Sequence, residues 1–62
     1  MKNNIKQQRK LKKISQEDLA MQCKVSRQTI NAIENNKYDP SLALAFELAI
    51  NLNTTVDELF IL

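Results

Sequence analysis

The sequence of 62 residues contains no glycine and no histidine, and it has one proline and one cysteine. With so little glycine and proline there is no flexible linker or low-complexity tract, so we expect a single domain over residues 1–62. One cysteine excludes an internal disulfide. Without histidine we expect neither a metal site nor a cofactor.

An enzyme is the class of protein that this composition supports least. Histidine, the usual general acid–base residue, is missing, and no glycine-rich loop is available to hold a phosphate group. A chain this short has little room for both a core and a substrate pocket. We therefore expect a non-enzymatic protein with no small-molecule substrate.

Membrane and secretion signals are also missing from the sequence. No apolar run is long enough to cross a bilayer, the first residues form no apolar signal core, and the basic first segment lacks a strong apolar face. A reducing cytoplasm is the expected location. Cys23 lies between apolar positions, so a small buried hydrophobe is favoured over a reactive thiol.

Charge is unevenly distributed, although the net charge is only +2. Residues 1–13 carry six basic residues and no acidic residue, whereas residues 39–62 carry four acidic residues and no basic one. The first segment suits a polyanion such as nucleic acid. A simply solvated basic surface is the alternative interpretation.

Capping residues divide the chain into five predicted helices, and we expect a compact all-α fold. Ser15, Ser26, Ser41 and Thr55 stand at the positions of N-caps, and Pro40 ends the segment before Ser41. The predicted helices cover residues 3–12, 16–23, 27–35, 42–52 and 56–60. No stretch alternates with the two-residue period of a strand.

Apolar residues at helical spacing predict the core. The candidates are Ile5, Ile14, Leu19, Ala20, Cys23, Val25, Ile30, Ile33, Ala45, Leu48, Ala49, Leu52, Val56 and Leu59.

The second and third predicted helices are joined by only Lys24-Val25-Ser26, which is typical of a helix-turn-helix. With Ile30 and Ile33 facing inward, the outward face of the third helix presents four candidate base-reading residues: Arg27, Gln28, Asn31 and Ala32. Arginine pairs with guanine in the major groove, glutamine and asparagine pair with adenine, and alanine can contact a thymine methyl group.

Three stretches carry a family resemblance: residues 16–20 (QEDLA), 25–35 (VSRQTINAIEN) and 37–42 (KYDPSL). The chain resembles the Cro/C1-type helix-turn-helix family, also called the xenobiotic-response-element family, from about residue 4 to residue 60. The resemblance implies a lambda-repressor-like domain of five helices whose third helix recognises DNA. It also implies binding to a palindromic operator as a two-fold dimer.

The resemblance also implies roles outside the recognition helix. Arg9 and Glu34 correspond to a structural ion pair, with a DNA contact as the alternative for Arg9. The residues expected at DNA phosphates are Gln16, Ser26, Lys24, Asn35, Asn36, Lys37, Lys10 and Lys13. Which of the lysines near the first helix reach phosphates, and which are only solvated, stays open.

Three residues depart from the family pattern, because Lys13, Lys24 and Asn36 stand where glycine is common. Glycine is favoured there for its freedom to adopt a positive φ. We hypothesise that Lys13 and Lys24 accept this strain for their attraction to phosphate.

The apolar residues near the end of the sequence predict a homodimer interface. The candidates are Phe46, Ile50, Phe60, Ile61 and Leu62. No further domain is expected after them to cover such a patch. The alternative is that Phe60 and Leu62 only complete the core.

A sequence-specific transcriptional regulator, more often a repressor than an activator, is the favoured function. The alternative is a protein-interaction module on the same scaffold, such as an antitoxin-like partner, because fold does not determine function. The absence of acidic residues among the outward-facing residues of the third helix favours DNA.

Overall fold

A computed structural model describes residues 1–61 of the chain. Within these residues the chain forms five helices and one pair of short strands: β1 (Lys2–Asn3), α1 (Ile5–Leu11), α2 (Gln16–Cys23), α3 (Arg27–Glu34), α4 (Leu42–Asn51), α5 (Val56–Leu59) and β2 (Phe60–Ile61). The predicted five-helix fold is confirmed, although α1 begins two residues later than expected. No helix in the described part of the chain has the length and apolar character to span a membrane.

Side-chain hydroxyl groups begin four of the five helices, as the sequence predicts. The oxygens of Ser15, Ser26, Ser41 and Thr55 each accept a hydrogen bond from the backbone N–H three residues later. Each bond satisfies one of the backbone donors that a helix start leaves without a partner. Helix α1 begins differently, because the N–H of Ile5 donates to Asn3 Oδ1 at 3.1 Å.

The strand pair is a feature that the sequence analysis missed. Strands β1 and β2 are antiparallel, with Lys2 opposite Ile61 and Asn3 opposite Phe60. Strands of two residues are too short to show a period of two, and their pairing joins the two ends of the described chain. Asn4 continues the contact by donating its N–H to the carbonyl of Leu59 at 2.8 Å.

The strand pair corrects the position of Phe60, which the sequence analysis placed at the dimer interface. Its side chain is only 8% exposed and belongs to the core, whereas Ile61 is 48% exposed. The reason is geometric, since successive strand residues point to opposite sides. Leu62, another predicted interface residue, lies outside the described residues.

The core is formed by apolar side chains from all five helices and from β2. Its buried members are Ile5, Leu19, Ala20, Cys23, Ile30, Ile33, Ala45, Leu48, Ala49, Leu52, Leu59 and Phe60. Ile14, Val25 and Val56, also expected in the core, are partly buried against it. Helix α2 contacts both α3 and α4. The buried face of α3 is therefore held against the rest of the domain.

Cys23 is a buried free thiol at the end of α2. Burial raises its pKa above the ordinary value, and the negative charge of Glu47 raises it further. A hydrogen bond from Asn51 Nδ2, at 3.7 Å from Sγ, acts in the opposite direction. A raised pKa keeps the thiol protonated, which agrees with the expected role as a small buried hydrophobe.

Four helices end in the same way, on a residue with left-handed backbone conformation. These residues are Lys13 (φ 57°), Lys24 (φ 59°), Asn36 (φ 61°) and Asn53 (φ 53°). After each of them the next N–H donates to the carbonyl five residues earlier: Ile14 to Arg9, Val25 to Ala20, Lys37 to Ala32 and Thr54 to Ala49. This is the Schellman arrangement, which usually employs glycine. The positive φ expected at Lys13, Lys24 and Asn36 is confirmed, and Asn53 was missed.

Replacing Lys24 with glycine is expected to raise the free energy of unfolding by up to about 1 kcal/mol, because glycine has no Cβ to strain at positive φ. The melting temperature should rise by up to about 4–8 °C, measurable by circular dichroism. The same variant loses a positive charge and should bind DNA less tightly.

Lys24→Ala is the matched control, because it loses the same charge but keeps a Cβ. It should weaken DNA binding equally without the gain in stability. A Lys24→Gly protein no more stable than Lys24→Ala would contradict a strained backbone at this position.

Candidate nucleic-acid interface

The turn from α2 to α3 leaves one face of α3 open to solvent. Ile30 and Ile33 are buried against the core, whereas Arg27, Gln28 and Asn31 are exposed. These three side chains line a surface concavity of about 620 Å³. The helix therefore presents a polar face with a positive charge, and its one acidic residue lies elsewhere.

Ala32, the fourth predicted base-reading residue, is half-buried. It lies one turn after Gln28, so the two residues share a helix face. Its methyl group adds a small apolar surface at the edge of the exposed polar residues.

The one acidic residue of α3 is Glu34, and its carboxylate forms an ion pair with Arg9. Arg9 Nε lies 2.8 Å from Glu34 Oε2, and Arg9 Nη2 lies 3.3 Å from Oε1. The side chains are 11% and 3% exposed, respectively. Arg9 Nη1 also donates to the carbonyl of Ile14 at 3.0 Å. Arg9 is therefore committed to structural contacts that tie α1 to the end of α3.

Gln16 is a third member of this network, which the sequence analysis missed. Its Nε2 donates to Glu34 Oε1 at 2.9 Å. One N–H of the amide is thus used, and one remains for the phosphate contact that the sequence analysis expected. The side chain lies in a concavity of about 480 Å³ that Arg9, Ser15, Glu17 and Arg27 also line.

Four of the predicted phosphate-binding residues are lysines that flank the helix-turn-helix. Lys10, Lys13, Lys24 and Lys37 are all exposed, and within residues 1–61 none of them forms a salt bridge. Their charges therefore face solvent without neutralisation. Ser26, by contrast, uses its hydroxyl to cap α3 and to bond to Thr29 Oγ1 at 2.9 Å.

The loop after α3 is fixed by Asn3, a residue without a predicted role. Asn3 Nδ2 donates to the carbonyl of Ile33 at 2.9 Å and lies 3.4 Å from Asn36 Oδ1. The predicted first helix included Asn3, so no sequence signal marked this contact. The strand pair brings Asn3 to the loop, and the side chain then holds Asn36 in place.

Asn35 ends α3, and its side chain turns back along the helix. Its Nδ2 lies 2.8 Å from the main-chain oxygen of Asn31 and 3.2 Å from Asn31 Oδ1. Asn35 is thereby joined to a candidate base-reading residue, which spacing alone did not indicate.

A separate apolar surface lies along α4. Leu42, Phe46 and Ile50 are spaced by four residues and are 70%, 52% and 69% exposed. They line a groove of about 800 Å³, with the buried Phe60 contributing to its lining. Phe46 and Ile50, which the sequence analysis predicted at a dimer interface, are thus both exposed in this groove.

Known proteins resemble this chain over most of its length. The helix-turn-helix family profile matches residues 5–59. An uncharacterised HTH-type transcriptional regulator of Methanocaldococcus jannaschii is 52% identical over 61 residues, covering 98% of this chain and 92% of the relative.

Solved structures show the same fold. The restriction-modification controller protein C.AhdI from Aeromonas hydrophila superposes with a TM-score of 0.83 and 30% identity, over 90% of this chain and 85% of that one. The SinR protein/SinI protein complex gives a TM-score of 0.77 and 32% identity, over 84% and 52% of the two chains.

Replacing Glu34 with alanine is expected to lower the free energy of unfolding by about 3 kcal/mol, because it leaves the Arg9 charge without a partner. Chemical denaturation would measure the change. Glu47→Ala, at an exposed position of α4, is the control and should have little effect.

A double variant separates the effect of an unpaired buried charge from the effect of losing the ion pair. Arg9→Met combined with Glu34→Leu removes both charges, so it should be more stable than Glu34→Ala alone. A loss below about 1 kcal/mol in Glu34→Ala would show that the ion pair is not needed for folding.

Proposed function

This chain belongs to the Cro/C1-type helix-turn-helix family of transcriptional regulators, and we propose that it represses transcription as a homodimer bound to a palindromic DNA operator. The family is a non-enzymatic class with a DNA-binding domain. The observation that carries the proposal is the exposed face of α3, where Arg27, Gln28 and Asn31 stand together without an acidic neighbour on that face.

These side chains suit the major groove of DNA. The Arg27 guanidinium can donate two hydrogen bonds to one guanine, and the amide of Gln28 can both accept from and donate to an adenine. Since α3 is fixed by the core and by Glu34, its exposed face can enter a groove without rearrangement. The half-buried Ala32 gives the helix a small apolar contact beside Gln28.

Phosphate contacts would surround the recognition helix. The remaining N–H of Gln16 lies at the start of α2, where backbone donors also favour an anion. Lys24 precedes α3, and Lys37 follows it. Lys10 and Lys13 are exposed as well, and contacts of these lysines with phosphate groups would make binding strongly dependent on salt. A DNA partner and the free thiol of Cys23 agree with a cytoplasmic location.

The groove along α4 supports the homodimer. Under two-fold symmetry with antiparallel α4 helices, Phe46 lies at the centre of the stripe and meets its own copy. Leu42 then faces Ile50 of the partner subunit, because both lie one turn from the centre. Ile61 is also exposed. Two copies would place two α3 helices on successive turns of DNA.

In-vitro selection from a random DNA duplex pool tests the DNA function. The wild-type protein should enrich a palindrome whose half-sites are about 10 base pairs apart. Gln28→Ala should lose the preference at one position of each half-site. Gln22→Ala changes the same type of residue at an exposed site of α2 and should select the wild-type sequence. No enriched sequence from the wild-type protein would refute sequence-specific binding.

Sedimentation of the free protein tests the dimer. The wild-type protein should sediment as a dimer at micromolar concentration, and Phe46→Ser should shift it to monomer because the centre of the stripe is lost. Met21→Ser removes an exposed apolar residue of α2 outside the groove, so it should stay dimeric. A wild-type protein that is monomeric with and without DNA would overturn this part of the proposal.

A second candidate function is recognition of a different protein through the same groove. The exposed stripe on α4 favours it, and the SinR protein was solved in complex with the SinI protein. Salt separates the two functions, since DNA binding weakens steeply with added salt whereas apolar contact with a protein does not. A monomeric protein that selects no DNA sequence would leave this candidate favoured.

A further inference from the structure

The side chain of Asn3 joins the start of α1 to the end of α3. Its Oδ1 accepts a hydrogen bond from the N–H of Ile5 at 3.1 Å, and its Nδ2 donates to the carbonyl of Ile33 at 2.9 Å. The first bond is local, whereas the second joins residues 30 positions apart, and both are partly buried. One amide group therefore serves the first turn of α1 and the last turn of α3 together.

The carbonyl of Ile33 is also an acceptor on which the turn after α3 closes. The N–H of Asn36 donates to it at 3.1 Å, and Asn36 adopts the left-handed conformation with φ 61°. The N–H of Lys37 then donates to the carbonyl of Ala32 at 2.9 Å. Asn3 Nδ2 lies 3.4 Å from Asn36 Oδ1 as well, so it contacts this turn at two points.

The strand pair places Asn3 at this turn. Asn3 lies opposite Phe60 in the antiparallel pairing of β1 with β2. The next residue, Asn4, donates its N–H to the carbonyl of Leu59 at 2.8 Å. The backbone of Asn3 is therefore held by β2 and α5, and its side chain forms a link between that part of the domain and the end of α3.

We propose that Asn3 is a positioning residue for DNA binding, which holds the turn after α3 so that Lys37 contacts a phosphate group. The inference rests on the proposed function and deepens it. Lys37 is exposed and forms no salt bridge within residues 1–61, so its charge is available to a phosphate. A turn that is fixed before binding loses less conformational entropy when it meets DNA. Asn3 acts through the turn, without touching DNA itself.

Asn3→Ser separates the two bonds of the amide. A serine hydroxyl can still accept from the N–H of Ile5 in the same type of turn, but it is too short to reach the carbonyl of Ile33. The variant keeps the charge of the protein, so a change in DNA binding does not come from a changed net charge.

A double-mutant cycle with Lys37→Ala tests whether Asn3 acts through Lys37. In the wild-type protein, Lys37→Ala should reduce the slope of log binding constant against log salt by about 0.9, the value of one phosphate contact. In the Asn3→Ser background, the same change should weaken binding about threefold less than it does in the wild type, because the contact is already loosened. The selected DNA sequence should not change, since phosphate contacts carry no direct sequence information.

Lys24→Ala is the control for the phosphate contacts. Lys24 precedes α3, at the opposite end of the helix from the turn that Asn3 contacts, and its loss should cost the same affinity in both backgrounds. An equal cost of Lys37→Ala in both backgrounds would overturn the inference. A Lys37→Ala protein that binds DNA as tightly as the wild type would overturn it as well.

Asn4→Ser is the matched control for stability. Asn4 Nδ2 makes the same kind of bond, to the carbonyl of Glu58 at 3.2 Å, but this bond leads to α5 and not to the end of α3. Asn4→Ser should lower the melting temperature as Asn3→Ser does, and it should leave the cost of Lys37→Ala unchanged. A reduced cost in both backgrounds would assign the effect to stability and contradict a specific role of Asn3.

Hydrogen exchange of the free protein distinguishes failure of this inference from failure of the proposed function. In Asn3→Ser the N–H of Lys37 should exchange about fivefold faster, which corresponds to one hydrogen bond of ordinary strength. The N–H of Val25 makes the equivalent bond at the end of α2 and should not change. An unchanged Lys37 N–H would overturn the inference even in a protein that selects a palindrome. Faster exchange in a protein that selects no DNA sequence would instead refute the proposed function, and with it the DNA role of Asn3.

Discussion

The buried carboxylate of Glu34 is the constraint on which the position of α3 depends. It accepts hydrogen bonds from Arg9 on α1 and from Gln16 on α2, and it stands on the last residue of α3. A charge that is 3% exposed requires such partners, because burial without them is strongly unfavourable. The three helices are therefore held in one arrangement by a single group, and the outer face of α3 is left free of negative charge.

Because the chain has no glycine, charged and polar residues adopt the left-handed backbone conformation after four of the helices. Lys13 and Lys24 adopt a conformation that glycine would adopt without strain, yet each places a positive charge next to a helix C-terminus. The carbonyl groups there carry partial negative charge, which favours a cation and offsets part of the strain. Asn36 and Asn53 tolerate the same conformation better than most residues. Under the proposed function the same lysines would lie near phosphate groups, and one residue would then serve both the turn and DNA binding.

The features that could be predicted from sequence are the local ones. Helix starts at Ser15, Ser26, Ser41 and Thr55 depend on bonds over three residues, and the faces of α3 follow from Ile30 and Ile33. The features that could not be predicted join distant residues. The pairing of β1 with β2 turns Phe60 inward and brings Asn3 to the loop after α3, and neither effect has a signature within a short stretch of sequence. Gln16 belongs to both groups, since its position was predictable and its bond to Glu34 was not.

Contacts at both ends of α3 hold this helix in place before it binds. The hydroxyl of Ser26 caps the start of α3. Glu34, Asn35 and the hydrogen bond from Asn3 Nδ2 to the carbonyl of Ile33 fix its end. A helix already held in place loses little conformational entropy when it enters a groove, so more of its contact energy remains for discrimination between bases. The strand pair extends this rigidity to Phe60 in the lining of the α4 groove. Association of two chains along α4 would then set the spacing of two α3 helices, because α2 packs against both α3 and α4 and so links the two surfaces.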